Sequence, residues 1–528
     1  MKTSILLFFS ALLLCITHSS QAQNTFLKLY GGPEDDWFEM AIPAGDGNYM
    51  TLFNSGDVWD GPISIGLVKF DDSGDILWTK LYNNLIDETA YSLQKTPANE
   101  FVVSGSGKYC ISFNCGTDGF VFKTDASGTV NFSRGLGETS FDWANRAIQT
   151  NDGGYCIAME TSSIGSGGVM AVMRLNSSGD TLWTRSYQDE GTNGAGGQSC
   201  QVVIETSDGG FLLGGNFRLN SVSQSHTYVV KLNSSGAMVW SKAYVDTGFN
   251  FTEVYDLIEM ANGDIAILTR SSVIRTDNAG DILWAKSYPG YLARYGQEGY
   301  ASFSETSDGG FILAGGYIES AETNPAIVKL SSSGTVEWVE EYYSGYGGAA
   351  FSAVQLSNGY YLISGMITEI GSGGLDGFVG VTDVQGGIYG CSTTKSITAT
   401  TANITVNSVT PTINAGLRSV VNNYIEQTPG GGLVETFSCM PAVGMEEASQ
   451  QTISIFPNPA SDLIQIEFEG QGQVQASFRI YDCLGTEVLT GTMNSNFKSI
   501  DVSSLETGVY NVDIRNGAKL YHARIIKN

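Results

Sequence analysis

The chain is poor in charged residues, and poorest in basic ones. Only 15% of its 528 residues are charged, and 27 Lys and Arg face 54 Asp and Glu, which gives a formal net charge of -27. Binding to a phosphate backbone needs a basic stripe, so nucleic acid is not an expected partner. An acidic surface is typical of a soluble protein, and binding of divalent cations such as calcium by scattered carboxylates is the alternative.

Histidine is nearly absent. The chain has 3, and only His226 and His522 lie beyond the N-terminal leader described below. A Ser-His-Asp or Cys-His catalytic centre is therefore not expected, and the G-x-S-x-G, H-E-x-x-H and G-x-x-x-x-G-K motifs are missing as well. The composition leaves open a pair of Asp or Glu side chains acting on a polysaccharide.

Long apolar runs are confined to the N-terminus. Lys2 precedes an apolar stretch over 5–16, and the small polar sequence THSSQAQ follows it. This layout predicts a secretory signal peptide over 1–22, and the bulky leucine before Cys15 argues against lipid attachment there. No second run approaches the ~20 apolar residues that span a bilayer, so no transmembrane segment is expected.

Export implies an oxidising environment, in which cysteines pair. Seven cysteines lie beyond the leader: Cys110, Cys115, Cys156, Cys200, Cys391, Cys439 and Cys483. The first two bracket a short loop, and Cys391 and Cys439 bracket a Thr-rich segment, so we expect these two bridges. A bridge between Cys156 and Cys200 stays open, and Cys483 is the expected free thiol. Without C-x-x-C spacing, the cysteines do not indicate a metal site.

One phrase returns along the chain. It reads VKLNSSGAMVWSKAY at 230–244: an apolar strand, a polar turn that glycine closes, and a second strand. Seven copies place the turn glycine 44 to 57 residues apart, at Gly74, Gly128, Gly179, Gly236, Gly280, Gly334 and Gly386. Only glycine takes a left-handed backbone angle without steric cost, so each copy predicts a β-hairpin.

A second hairpin lies ahead of the phrase, with a D-G-G or N-G turn, as in VIETSDGGFLLGGNF at 203–217. Two hairpins make the four strands of a propeller blade. The sequence thus predicts an all-β chain with a seven-bladed β-propeller over 23–391. FLKLYGG, from Phe26, resembles a fourth strand without its three partners. We expect this strand to complete the last blade and close the ring.

An aromatic residue follows six of the turn glycines by four positions. The six are Trp78, Phe132, Trp183, Trp240, Trp284 and Trp338. Recurrence once per blade favours packing between blades over a row of sugar-stacking platforms. A ligand is expected instead at loops that vary in length, with 105–119, 188–199 and 218–226 as candidates. The densest acidic cluster, 34–36, is expected to form a turn after the closing strand.

The repeat resembles the propeller repeats with glycine and tryptophan in exported Bacteroidota proteins. It also resembles the tryptophan-docking repeat of quinoprotein dehydrogenases, whose adjacent cysteine pair and cofactor-binding carboxylates are not recognisable here. No cofactor is therefore expected, with calcium as the exception left open.

The C-terminus carries a different pattern. ISIFPNPASDLIQIEFEG from 453 is followed by SFRIYDCLGTEVLTG and by LETGVYNVDIRNGAKLYHARIIKN. These strands resemble the type A sorting domain of the type IX secretion system. Ten residues occupy the places of its motifs: Pro457, Asn458, Pro459, Tyr481, Asp482, Gly485, Leu505, Gly508, Tyr510 and Lys527. Period-two strands predict a small β-sandwich over 452–528, after a linker rich in Thr, Ser and Gly with a few extra strands over 392–451.

The sorting resemblance implies a destination and two partners. It implies recognition by the outer-membrane translocon, removal of the domain by a sortase, and release or attachment at the cell surface. An ordinary adhesive sandwich domain is the alternative for the C-terminus. For the propeller we expect a non-enzymatic module that binds a glycan or a protein. The alternative is a glycoside hydrolase or lyase with Asp and Glu at the propeller mouth.

Overall fold

The computed structural model places the chain in two compact units, Met1–Pro441 and Ala442–Asn528. It describes residues 25–439 and 453–527 except for 33, 57–62, 84–85, 112–113, 139, 165–167, 189–197, 219–224, 247–251, 271, 293, 296–297, 301, 320–321, 343–346, 369–373, 389, 415–419, 423–425, 430–432, 469–475, 482–486, 496, 506 and 517–518. The predicted signal peptide lies outside these residues.

The first unit begins with a lone strand and continues as repeated antiparallel sheets. In chain order the strands are β1 (Phe26–Gly31); β2 (Asp35–Pro43), β3 (Tyr49–Gly56), β4 (Ser64–Phe70) and β5 (Ile76–Asn83) in sheet 1; β6 (Ile86–Lys95), β7 (Phe101–Ile111), β8 (Asn114–Thr124) and β9 (Val130–Leu136) in sheet 2; β10 (Asp142–Gln149), β11 (Tyr155–Thr161), β12 (Val169–Leu175) and β13 (Thr181–Gln188) in sheet 3; β14 (Ser199–Glu205), β15 (Phe211–Arg218), β16 (Ser225–Leu232) and β17 (Met238–Asp246) in sheet 4.

The later repeats follow the same order. They comprise β18 (Asp256–Glu259), β19 (Ile265–Leu268), β20 (Ser272–Thr276) and β21 (Ile282–Ser287) in sheet 5; β22 (Tyr291–Leu292), β25 (Phe303–Glu305), β26 (Phe311–Glu319), β27 (Glu322–Leu330) and β28 (Val336–Tyr342) in sheet 6, with β23 (Arg294–Tyr295) and β24 (Glu298–Tyr300) as a separate pair; and β29 (Gly348–Gln355), β30 (Tyr361–Thr368) and β31 (Leu375–Thr382) in sheet 7. The all-β prediction is confirmed.

Strand β1 completes sheet 7. It pairs antiparallel with β31, from Phe26 opposite Val381 to Tyr30 opposite Gly377. The last repeat therefore takes its fourth strand from the start of the chain, which is the place that the sequence assigns to FLKLYGG. Pairing the two ends in one sheet ties them together without a covalent bond.

The segment after sheet 7 adds one outer strand to every sheet. Its strands are β32 (Ser392–Lys395), β33 (Thr400–Thr401), β34 (Ile404–Ser408), β35 (Thr412–Asn414), β36 (Val420–Asn422), β37 (Glu426–Pro429) and β38 (Val434–Cys439). They pair in turn with the fourth strands of sheets 6, 5, 4, 3, 2, 1 and 7, each time antiparallel. The predicted linker thus runs backwards past all seven sheets and covers their outer edges.

The core of the first unit lies between successive sheets. Each apolar cluster joins two neighbours: sheets 1 and 2 share one around Tyr82 and Phe122, and sheets 3 and 4 share one around Tyr187 and Phe211. The same holds for every other neighbouring pair, including sheets 7 and 1. Apolar side chains thus hold the sheets in cyclic order, and a seven-bladed propeller stays our interpretation of this ring.

The second unit contains two sheets. One has β39 (Ile453–Phe456), β40 (Leu463–Phe468) and β43 (Phe497–Asp501), and the other has β41 (Ala476–Tyr481), β42 (Glu487–Met493), β44 (Gly508–Asn516) and β45 (Lys519–Lys527). Ile464 and Ile466 of the first sheet share a buried cluster with Phe478 and Val512 of the second. Burial of alternate residues on both sheets is the packing of a β-sandwich.

Within the part of the chain that the structure describes, no helix has the length and apolarity needed to cross a bilayer.

Candidate functional site

The sheets of the first unit present two different edges. At one edge, the short-turn edge, the first strand turns into the second and the third into the fourth through tight turns, which glycine closes except in sheet 2, where Asn99 closes the first turn. At the other, the long-loop edge, the second strand connects to the third and each sheet connects to the next. The candidate loops 105–119, 188–199 and 218–226 lie at the long-loop edge, and residues 112–113, 189–197 and 219–224 of them are outside the described part.

The predicted repeat aromatics lie between sheets at the short-turn edge. A Cβ atom on Gly128 of sheet 2 would be 2.7 Å from the Trp78 ring of sheet 1, and the φ of Gly128 is 80°. Tyr82 donates a hydrogen bond of 2.7 Å to the Gly128 carbonyl oxygen. Glycine is therefore required at this position for two reasons: its left-handed backbone angle and the close approach of the Trp78 ring.

The same contact recurs around the ring. The other pairs of turn glycine and ring are Gly74 with Phe26, Gly179 with Phe132, Gly236 with Trp183, Gly280 with Trp240, Gly334 with Trp284, and Gly386 with Trp338. Phe26 of β1 takes the tryptophan place, and Lys28 and Tyr30 of the same strand bind Asp75 and the Gly74 carbonyl of sheet 1. These residues join sheets, so a ligand surface has to be sought elsewhere.

Six acids at the short-turn edge are paired with bases. In sheets 1 to 6 a basic side chain of the third strand binds an acid of the hairpin turns: Lys69 with Asp46, Lys123 with Glu100, Arg174 with Asp152, Lys231 with Asp208, Arg275 with Asp264, and Lys329 with Asp308. Hydrogen bonds from Thr150 and Arg174 lower the pKa of Asp152 to about 2. These carboxylates are charged structural groups.

The long-loop edge carries acids that face other acids. Asp118, in the third strand of sheet 2, lies beside Asp142, which begins sheet 3. Both approach one glycine, since a Cβ atom on Gly137 would be 2.3 Å from Asp118 Oδ1 and 2.9 Å from Asp142 Oδ2. Asp142 is 0% exposed, and its Oδ2 accepts hydrogen bonds from the Glu138 amide and the Ser163 hydroxyl at 3.0 and 2.8 Å.

The boundary between sheets 7 and 1 repeats this arrangement. Asp376 lies in the third strand of sheet 7 and Asp36 in the first strand of sheet 1, and both are 2% exposed. A Cβ atom on Gly31 would be 1.9 Å from Asp376 Oδ1, and the Gly32 amide donates to Asp36 Oδ2 at 2.6 Å. Each of these two sheet boundaries therefore holds a pair of aspartates beside a glycine-containing turn, in an equivalent arrangement.

Burial raises the pKa values of acids at the long-loop edge, whereas hydrogen bonds lower the pKa of the turn acid Asp152. Burial, with a contribution from neighbouring Asp376, raises the pKa of Asp36 to about 6. Burial and the adjacent Asp142 carboxylate raise the pKa of Asp118 to about 6. Burial and Glu253 raise the pKa of Glu160 to about 7. The charged forms are disfavoured because burial removes water from these carboxyl groups and a neighbouring acid repels the charge.

A stacked aromatic pair, in which Phe141 is exposed and Trp143 half-buried, adjoins one acid pair. Phe141 and Trp143 flank Asp142 in the chain, and their rings stack with centroids 5.9 Å apart and planes 12° apart. Phe141 is 50% exposed, although large apolar side chains are usually buried. A flat, exposed ring beside carboxylates is a surface on which a sugar ring can stack.

Sequence reasoning missed the acid pairs. It selected only the cluster 34–36, as a turn, whereas Asp36 faces Asp376 from the far end of the repeats. A signal was available: D-W occurs at 36–37 and 142–143, and D-G-F at 118–120 and 376–378.

The cysteine predictions are tested in part. Cys391 is disulfide-bonded, but the side chains of Cys110, Cys115 and Cys439 are outside the described part, so both predicted bridges stay predictions. Cys156 and Cys200 are free and buried in the cluster between sheets 3 and 4. Burial raises the pKa of the Cys156 thiol to about 12, which makes it a packing residue. Cys483 also lies outside the described residues.

Motif residues of the C-terminal unit converge on its last strand. The Asn458 side chain accepts a hydrogen bond of 2.8 Å from the Ile526 amide, so the turn with the exposed Pro457 and Pro459 is tied to β45. Gly508, at the start of β44, pairs with Lys527 at the end of β45.

The remaining motif residues are divided between core and surface. Tyr510 is 7% exposed and lies in the core, against which Leu505 packs. Tyr481 ends β41 and is half-buried, and Asp482 and Gly485 are outside the described residues. The motif thus combines sandwich packing with the turn that lies beside the final strand.

Residues 454–528 match the family model of the secretion system C-terminal sorting domain. The resemblance found in the sequence is confirmed, and the chain is exported by type IX secretion to the cell surface or the extracellular space. No curated protein is significantly similar to it in sequence.

Two solved structures are distantly similar. A protein of unknown function from Bacteroides caccae is 13% identical, with a TM-score of 0.35 over 60% of this chain and 93% of that one. PorZ from Porphyromonas gingivalis, a surface component of the type IX secretion system, is 9% identical, with a TM-score of 0.30 over 93% of this chain and 81% of that one. Scores this low establish no shared function.

Proposed function

We propose that the ring of sheets is a non-enzymatic binding module that works outside the cell and holds a glycan at its long-loop edge. The observation that supports this most directly is the exposed stack of Phe141 on Trp143. Stacking on a sugar ring uses the apolar face of the sugar, and polar groups around the platform then select its hydroxyls. The short-turn edge offers less, because its aromatic rings are engaged with the next sheet.

Binding is favoured over polysaccharide cleavage by the position of the acids. A glycosidase needs two carboxyl groups that reach either side of the scissile bond. Asp142 is 0% exposed and Asp36 is 2% exposed, so both carboxyl groups lie beneath the surface that a polysaccharide would touch.

The proposal is tested with the full mature chain on a glycan array, with polysaccharide turnover assayed in parallel. For the best ligand, Phe141→Ala is expected to weaken binding about tenfold, since loss of an aromatic stacking surface costs on the order of 1 kcal/mol. Leu182→Ala is the matched control, because Leu182 is 55% exposed at the opposite edge. Unchanged binding by Phe141→Ala would refute the site. If the chain cleaves a polysaccharide and Asp142→Asn abolishes the cleavage, the enzyme hypothesis is favoured. If the chain binds a protein and no glycan, the ligand is a protein and the glycan proposal is wrong.

The C-terminal unit is the proposed contact with the secretion machinery. Its partners are the outer-membrane translocon and the sortase that removes the domain, after which the ring is released or attached to the surface. The turn over 457–459 and the adjoining end of β45 are exposed in part and carry motif residues. This surface is the proposed recognition element.

A further inference from the structure

The acid pairs at the two sheet boundaries have unsatisfied oxygens. Asp36 Oδ1, Asp118 Oδ1 and Asp142 Oδ1 are buried and accept no hydrogen bond. No lysine or arginine in the described part of the chain forms an ion pair with these three residues. A buried carboxylate oxygen without a hydrogen bond or a counter-charge is costly, so each such oxygen calls for a bound proton, an ordered water molecule or a bound cation.

The carboxylates lie so close to two glycines that no side chain would fit at either position. Gly137 and Gly31 lie where a Cβ atom would overlap Asp118 Oδ1 and Asp376 Oδ1, at 2.3 and 1.9 Å. Neither residue has a left-handed backbone angle, so the glycines are explained by the approach of the carboxylates and not by the turn. The same arrangement of two acids beside a glycine occurs at two sheet boundaries, so it is unlike a chance cluster of acids.

We propose that Asp118 with Asp142, and Asp376 with Asp36, form two divalent-cation sites that join adjacent sheets, and that calcium is their ligand. Calcium binds carboxylate and carbonyl oxygens together with water, and accepts irregular coordination. Among the described residues no three His, Cys, Asp or Glu side chains form a metal-binding group. Backbone carbonyls and water would therefore complete each shell, which suits calcium better than zinc.

The positions give the cations a structural consequence. The second site joins sheet 7 to sheet 1, next to the pairing of β1 with β31 that closes the ring. A cation between Asp376 and Asp36 would add a link across that closure. Binding to the folded chain alone raises its stability in proportion to the logarithm of the free calcium concentration.

The sites are tested on the full mature chain with calcium by titration calorimetry, and with terbium as a luminescent substitute. Trp37 and Trp143 directly follow Asp36 and Asp142, so each site has an adjacent tryptophan that can transfer excitation to bound terbium. The wild type is expected to bind two ions. Asp36→Asn and Asp142→Asn should each bind one, and Asp152→Asn, whose carboxylate is paired with Arg174 at the other edge, should bind two.

Three results would overturn the proposal. One is no binding at millimolar calcium, and the second is binding that both Asn variants leave unchanged. The third is stability that does not depend on calcium but falls as the pH rises from about 4 to about 6, which would show that each pair shares a proton instead. Thermal unfolding of the wild type with calcium and with chelator provides the folding control for the variants.

Discussion

The two edges of the ring treat acidic residues in opposite ways. At the short-turn edge, hydrogen bonds from Thr150 and Arg174 hold the pKa of Asp152 at about 2, and those from Lys231 and Thr206 do the same for Asp208. At the long-loop edge, Asp36 lies beside another acid and burial raises its pKa to about 6. Packing between sheets needs the same contact in every repeat, whereas the long-loop edge departs from the repeat. Departures that cost stability are where a ligand site is expected.

The largest loss of stability is expected from adding a side chain at a turn glycine that contacts an aromatic ring. Gly128→Ala should destabilise the chain by about 2–4 kcal/mol, because it combines a left-handed backbone angle with a Cβ atom 2.7 Å from the Trp78 ring. Gly309→Ala is the matched control, since Gly309 has φ +74° but no atom within 4 Å. Gly309→Ala should lower the free energy of unfolding by only about 1 kcal/mol, with both variants measured by denaturant titration. Equal losses of stability in the two variants would show that the contact of the Trp78 ring with Gly128 contributes nothing.

A pH titration in the presence of chelator compares the two edges directly. The folded state holds the proton of Asp36 up to a pH of about 6, whereas the unfolded chain releases it near its ordinary value. Asp36 therefore costs stability as the pH rises from about 4 to about 6, and Asp36→Asn should remove about 1–3 kcal/mol of that fall.

Asp152 has the opposite sign and serves as the control. Its contribution is present above a pH of about 4 and is lost as the pH falls towards about 2. Asp152→Asn should therefore lower stability at neutral pH and leave the fall between pH 4 and 6 unchanged. Parallel pH profiles for Asp36→Asn and wild type would remove the distinction between the edges.

The smallest effect is expected at a single hydroxyl. Tyr244 donates a hydrogen bond of 2.9 Å to the Gly280 carbonyl, so Tyr244→Phe should cost about 1 kcal/mol in free energy of unfolding. Tyr187 occupies the equivalent place in sheet 3, but its buried hydroxyl has no partner. Tyr187→Phe should leave stability unchanged or raise it slightly. A loss as large as that of Tyr244→Phe would contradict the hydrogen-bond account.

Local signals in the sequence were sufficient for the hairpins and the closing strand. Each turn glycine has its left-handed angle, from Gly74 to Gly386, and FLKLYGG carries the spacing of Phe26, Lys28 and Tyr30 that a fourth strand needs. The sorting unit was predictable because its motifs are dense within 75 residues.

The outer strands and the acid pairs were beyond sequence reasoning for one physical reason. Strands such as β33, over Thr400–Thr401, are too short and too polar to give a periodic signal, and each pairs with a fourth strand that lies far from it in the sequence. Asp36 and Asp376 are likewise neighbours only after the ring has closed. Nonlocal pairing of this kind leaves no pattern within a window of the sequence.

The most direct test of the account is the export of a chain that lacks residues 453–528. Localisation of the full chain and of this truncated chain, expressed in a bacterium with type IX secretion, can be compared by fractionation and protease accessibility. The account predicts the full chain at the cell surface or in the medium, and the truncated chain folded but retained in the periplasm. Equal export of both chains would contradict it.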